Sequence, residues 1–251
     1  MNTHFHNKVA IVTGSSFGIG RATAIEFSKH GVKLVLADWI EDQETLHMVK
    51  AMGSEGIFVK CDVSKSEDVQ NLVKVAMETY GQIDFAFNNA GVEGLSNPTA
   101  LCTEENWDKV IGINLTGVFL CMKYILPVML EQGKGAIVNN ASVAGLVGFQ
   151  NSPAYVASKH GIVGLTKTTA LEYIQKGIRV NAVCPGIIST PMIDRFTGKN
   201  KEIEKQFVSM EPIGRMGEPA EVANAVVWLC SNEASFISGH AMPIDGAWTA
   251  Q

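Results

Sequence analysis

Charge is scarce in this chain. Lys, Arg, Asp and Glu make up 18% of its 251 residues, where about 25% is usual for a soluble domain. The balance is 20 Lys and Arg against 25 Asp and Glu, a formal net charge of −5 at pH 7. With a pI near 5.7, the chain offers phosphates no net attraction, which argues against a nucleic-acid binder. Long apolar runs are missing too. The longest, Val118 to Leu130, is broken by Lys123 and Pro127 and falls short of the ~20 residues that span a bilayer. The start, MNTHFHNK, has no apolar core of signal-peptide length. His4 and His6 have no third ligand nearby in sequence, so a solvated N-terminus is expected there and not a metal site. The five cysteines, Cys61, Cys102, Cys121, Cys184 and Cys230, are odd in number and form no C-x-x-C. They point to buried free thiols in a reducing cytosol. No repeat, low-complexity tract or Pro/Ser linker marks a domain boundary.

What is present is 46% apolar residues and 24 Gly. That excludes a disordered chain, and the length suffices for a sizeable core without staples. Runs rich in Val and Ile alternate with helical patterns. KVAIVT (Lys8 to Thr13), KLVLAD (Lys33 to Asp38), GIFVKCD (Gly56 to Asp62), IDFAFNNAG (Ile83 to Gly91), GAIVNNAS (Gly135 to Ser142), IRVNAVCPG (Ile178 to Gly186) and a short run at Met242 to Ile244 read as strands. Ser64 reads as the N-cap of a helix to Tyr80. Two long helical patterns occupy Glu104 to Leu115 and Gly117 to Glu131. Continuous apolar strands are buried on both faces, and helices between them mean right-handed crossovers. The expectation is one α/β domain over 1–251, with a doubly wound, mostly parallel seven-stranded sheet flanked by helices, a Rossmann fold.

Thr13-Gly14-Ser15-Ser16-Phe17-Gly18-Ile19-Gly20 joins the first strand to the first helix. Gly14 permits the turn, Gly18 lets the backbone approach a pyrophosphate, and Gly20 lets the helix pack closely. The helix N-terminus then offers N–H groups to phosphates. A glycine-rich loop alone would mean little; the strand–turn–helix context gives it weight. Asp38 ends the second strand eighteen positions after Gly20. A carboxylate there can accept the ribose hydroxyls of NAD and repels the extra phosphate of NADP. Phe17 and Trp39 stand where a basic residue would favour NADP. NAD is therefore expected over NADP. Asp62 can accept from the adenine amino group, or be an ordinary loop Asp.

Tyr155 and Lys159 lie one helical turn apart in AYVASKHG. A phenol of pKa ~10 is a poor base at neutral pH, and a nearby ammonium lowers it. Such a pair can serve as a general acid–base. Alone it would usually be a solvated helical pair. Ser142 ends the fifth strand at the carboxyl edge, where doubly wound sheets bind ligands. Its hydroxyl can hold a substrate oxygen as charge develops.

These motifs, in order and spacing along essentially the whole chain, resemble the short-chain dehydrogenase/reductase family. The match takes in the TGSSFGIG turn, NNAG (Asn88 to Gly91), the Ser142, Tyr155 and Lys159 set, and Pro185-Gly186. The resemblance implies hydride transfer between a nicotinamide and a secondary alcohol or ketone. It implies that Asn114 holds a helix irregularity and a water in a proton relay. It also implies cofactor contacts from Ser16, Ile19, Val63, Asn89, Ala90, Gly91, Pro185, Gly186, Ile188 and Thr190, and a substrate lid at about 187–217.

The loop after Ser142 (Val143, Ala144, Leu146, Val147, Phe149) suggests an apolar pocket. Glu93 and Gln150 are its polar candidates, though Glu93 can equally be a solvated loop residue. Ile187, Met192 and Phe196 can line the lid or serve in plain amphipathic packing. The substrate expected is a small, mostly apolar or cyclic alcohol or ketone. The alternatives are a 3-ketoacyl-[acyl-carrier-protein] reductase and a non-catalytic NAD-binding protein. The last strand is followed by Asp245-Gly246-Ala247-Trp248, where the family often has Asp-Gly-Gly; altered contacts between subunits are expected from this. Val118 to Leu130 and Ala154 to Leu171 are more apolar than one buried stripe requires. By resemblance they pack against other copies, and a homotetramer is expected.

Overall fold

A computed structural model describes residues 5–251. His4 therefore lies outside the described residues, and His6 is exposed. Seven strands form one parallel sheet: β1 (Val9–Thr13), β2 (Lys33–Asp38), β3 (Gly56–Lys60), β4 (Phe85–Asn88), β5 (Gly135–Asn140), β6 (Ile178–Pro185) and β7 (Ala241–Ile244), in the order β3-β2-β1-β4-β5-β6-β7. The order reverses between β1 and β4. That opens the crevice at the carboxyl edge where doubly wound sheets bind ligands.

Alternate residues of each strand enter two separate cores. On one face Ile11, Val35, Ile137 and Val180 pack against Leu72 of α3 (Ser66–Tyr80), Ile125 of α5 (Gly117–Gln132) and Ile162 of α6 (Pro153–Tyr173). On the other, Val12, Leu34, Phe87 and Val183 pack against Phe27 of α1 (Gly18–Lys29), Val49 of α2 (Glu44–Ala51) and Val226 of α9 (Pro219–Cys230). Burial on both faces is why these strands read as continuous apolar runs.

Three local readings change. Ser64 is not a cap: α3 begins at Ser66, and the Ser64 amide and hydroxyl both donate to Asp62 Oδ1. The turn competes for the serine and wins. The two helical patterns after β4 are one continuous helix, α4 (Glu104–Ile111) running through a π-helical turn at Gly112–Thr116 into α5. By length and composition that helix could cross a membrane. Here Val118, Cys121, Met122, Ile125 and Met129 are buried in the core beside the sheet. The fourth strand ends at Asn88, and the rest of NNAG leaves the sheet as loop.

Candidate active site

The loops after β1, β4, β5 and β6 converge at the carboxyl edge. Gly14 is left-handed, at φ 63°. A Cβ there would meet Asn89 Nδ2 at 2.8 Å and the Ala90 backbone at 2.9 Å. The close approach has a purpose. The Asn89 amide donates to the Thr13 and Gly14 carbonyls at 2.9 and 3.0 Å. The Asn89 and Ala90 backbone N–H groups both donate to Thr13 Oγ1. Asn89 thus clamps the turn from the neighbouring strand. A Cβ on Gly20 would collide with the Gly14 carbonyl, so only glycine lets α1 start here.

Asp38 is buried, with Oδ2 accepting from Ser16 N at 3.0 Å and Oδ1 from Ile40 N at 3.2 Å. Ser16 Oγ is buried with no partner. An orphaned hydroxyl beside a carboxylate and a bare glycine turn suits a polyhydroxylated, phosphate-bearing cofactor. Phe17 and Trp39 are exposed at the rim. Arg21, a cation of α1 beside the turn, stacks 5.2 Å from the Phe17 ring centroid and is held by Asp42, Glu44 and Thr45. Sequence spacing did not single it out. A groove of about 340 Å³ lined by Trp39, Lys60, Asp62, Lys65 and Asp68 lies beyond Asp38. Asp62 Oδ1 is already bonded to Ser64. The Val63 side chain is buried against Gly117, which leaves only its backbone for a ligand. Across the cleft, Thr190 sits over Gly18, 3.0 Å from where a Cβ would be, while Pro185 and Ile188 are buried beneath.

Ser142, Tyr155 and Lys159 come together as the spacing predicts. Ser142 Oγ accepts from Ala144 N at 3.1 Å, fixing the hydroxyl, and lies close enough to the Tyr155 phenol to favour its ionised form. Lys159 is buried, donates to the Asn140 carbonyl at 2.7 Å and lies 5.5 Å from the Tyr155 ring centroid. One expectation is corrected here. Burial pushes the Tyr155 phenol above its ordinary value, the Glu93 carboxylate adds to the rise, and only Ser142 opposes it. Burial also holds the Lys159 ammonium down at about 8, and the ammonium is not among the groups that lower the phenol.

Asn114 is fully buried in the π turn, where Gly117 N donates five residues back to Gly112 O. Its side chain accepts from Val92 N (2.8 Å) and donates to Val92 O (2.9 Å) and Ser158 Oγ (3.2 Å). It ties the loop after β4 to the Tyr155 helix. A further layer escaped the sequence reading. Asn88 donates to Asn139, Asn139 to Thr166, and Asn140 to Asn89. The repeated Asn within NNAG and before Ser142 is its only signal in the sequence.

On the substrate side, Ala144 and Ile187 are buried, Met192 is half-buried and Gln150 is exposed. Phe196 is 39% exposed and meets Phe207 edge-on at 5.5 Å. The packing role thus applies to Phe196, between α7 (Pro191–Thr197) and α8 (Lys201–Ser209). Glu93 is not a solvated loop residue: Arg195 of α7 grips it with two bonds, at 2.8 and 3.1 Å. Phe149 meets Trp248 edge-on at 5.1 Å. The left-handed Ala247 (φ 74°) and three bonds to the Asp245 carboxylate, from Ala247 N and from the Thr249 amide and hydroxyl, shape the turn that carries this Trp. Sequence reasoning had given that tail to subunit contacts only.

Similarity runs along the whole chain. The short-chain alcohol dehydrogenase family model described as enoyl-(acyl carrier protein) reductase matches residues 14–249. A cyclohexanol dehydrogenase from Acinetobacter sp. (strain SE19) is 44% identical over 253 residues, covering 100% of this chain and 98% of that protein. Among solved structures, a levodione reductase aligns with a TM-score of 0.93 at 41% identity, covering 98% of this chain and 99% of the other. An NAD+-bound xylitol dehydrogenase aligns with a TM-score of 0.91 at 34% identity, covering 96% and 99%. The glycine turn, the Ser142–Tyr155–Lys159 cluster and these full-length matches agree: the chain belongs to the short-chain dehydrogenase/reductase family.

Proposed function

We propose that this protein is an NAD-dependent oxidoreductase that moves a hydride between the nicotinamide and a small cyclic, mostly apolar secondary alcohol or ketone. The convergence of Ser142, Tyr155 and Lys159 beside the glycine turn carries the reading. The 44% identical cyclohexanol dehydrogenase supports the substrate class. Bound NAD supplies the hydride acceptor and donor. Gly14 to Gly20 hold its phosphates, Asp38 its adenosine ribose, and Lys159 and Tyr155 its nicotinamide ribose. Pro185, Gly186, Ile188 and Thr190 bound the nicotinamide side.

In oxidation the Tyr155 oxygen, as phenolate, takes the proton of the substrate hydroxyl. In reduction the phenol O–H gives it back. Ser142 Oγ, fixed by Ala144 N, holds the substrate oxygen where charge develops. As an ammonium, Lys159 Nζ carries three N–H donors and no lone pair, so it donates to the Asn140 carbonyl and orders the proton path from Tyr155 without taking the proton itself. Asn114 holds the Val92 loop and the π turn so that this path reaches solvent. Ala144 and Phe149, with Trp248 behind Phe149, exclude water from an apolar ring. The buried Asp38 and the neutralised Arg21 favour NAD over NADP.

The four thiols Cys61, Cys121, Cys184 and Cys230 are buried and unpaired, which supports a reducing cytosol. Tyr155→Phe is expected to abolish turnover while NADH binding, followed by cofactor fluorescence, persists. Turnover retained in that variant would overturn the assignment. An acetoacetyl thioester with NADPH is expected to be a poor pair, and a preference for it would favour the ketoacyl reductase reading.

A further inference from the structure

Glu93 lies two residues beyond Gly91, in a loop whose preceding residue, Val92, is pinned by both ends of the Asn114 amide. It is therefore anchored to the floor of the site. Its carboxylate is near enough to the Tyr155 phenol to act on it electrostatically. Yet it does not face an open cleft. Arg195, 102 positions away in sequence, reaches from α7 and binds both carboxylate oxygens, Nε to Oε1 at 2.8 Å and Nη2 to Oε2 at 3.1 Å. The Glu93 side chain is 20% exposed and that of Arg195 58%. The pair bridges the site floor to the segment that follows Pro185-Gly186. Thr190, the residue before α7, meets Gly18 of the cofactor turn. So α7 starts packed beside the cofactor turn, and the ion pair is a second tether near its end. A bidentate fork gives the second tether direction. Its partial exposure keeps it weak, as suits a contact that opens in each turnover.

We propose that the Glu93–Arg195 pair is a specificity latch. It fastens α7 over the substrate cleft, and it commits the Glu93 carboxylate to the lid, leaving an uncharged cleft for an apolar ring. This deepens the functional reading above and rests on it for the identity of the cleft. Arg195 is a positioning residue; it touches no reacting atom.

The test compares Arg195→Ala, Glu93→Gln and the reversed pair Glu93→Arg with Arg195→Glu. Amide hydrogen exchange over 191–209 in the NADH complex needs no turnover. Each single change should speed exchange about fivefold, the loss expected for a partly exposed ion pair, and the reversed pair should restore it. With cyclohexanol, KM should rise in Arg195→Ala while kcat holds. Freed of Arg195, Glu93 can accept polyol hydroxyls, so Arg195→Ala should raise kcat/KM for xylitol relative to cyclohexanol. Unchanged lid exchange in both single variants would overturn the latch. So would a reversed pair that stays as fast-exchanging as the singles. If the wild type oxidises no secondary alcohol, the functional reading fails, and the exchange experiment still decides the latch.

Discussion

Burial decides the chemistry of Lys159 and Tyr155 more than their mutual contact does. A lysine held at about 8 against an ordinary 10.5 corresponds to roughly 3 kcal/mol. The sign follows from proton binding. Between those two values the unfolded chain binds more protons than the folded one, so stability rises with pH through that window and the full cost stands below it. Lys159→Met should therefore unfold at a higher temperature than wild type at pH 7. The charge-assisted hydrogen bond to Asn140 lost in that variant gives back about 2 kcal/mol, less than the burial cost removed. The advantage should shrink as pH approaches 10.5, and the variant should be inactive. Thermal denaturation across pH measures this, and a lower midpoint at pH 7 would contradict it. The raised Tyr155 phenol fixes the kinetic counterpart: kcat/KM for oxidation should climb from neutral into alkaline pH, while ketone reduction should fall. The identities of these residues were legible because their spacing sets Tyr155 and Lys159 on one helix turn and Ser142 just past a strand that ends at Asn140, two residues earlier than expected. Their protonation was not, since sequence carries no measure of how deeply a side chain is buried.

At the scale of elements, the strands and the glycine turn were legible because their signals are local. A strand buried on both faces must be apolar throughout, and a turn whose Gly20 faces the Gly14 carbonyl must lack a Cβ. Gly20→Ala should therefore lose NADH affinity by at least about tenfold, since the collision is with backbone and the turn must open. Fluorescence titration checks it, and wild-type affinity would mean that the turn is not the phosphate cradle. The joined α4–α5 helix reads as two patterns because a π turn adds a residue and breaks the phase of the hydrophobic periodicity. The Asn114 clamp, the Asn ladder and the Glu93–Arg195 pair were invisible for a different reason. Each partner lies tens of residues away, and only the crossover topology brings them together.

Across the whole molecule, the low charge content has a visible counterpart. The long helices carry exposed Trp107, Phe119, Leu130 and Leu171 away from the sheet, and Leu171 is 81% exposed. Trp228 of α9 and Phe236 before β7 are also exposed. Apolar surface of this kind on two helix faces suits burial between copies. Sedimentation at micromolar concentration should show a homotetramer, and Leu171→Glu should shift it to smaller species. A wild-type monomer would remove the explanation for those faces. The central claim, however, concerns chemistry. Its most direct test is the initial rate of reduced cofactor formation from cyclohexanol, measured in parallel with NAD+ and NADP+. The account predicts turnover with NAD+ at least about tenfold faster than with NADP+, as Asp38 at the ribose requires. No reduced cofactor from either, or a preference for NADP+, would contradict it.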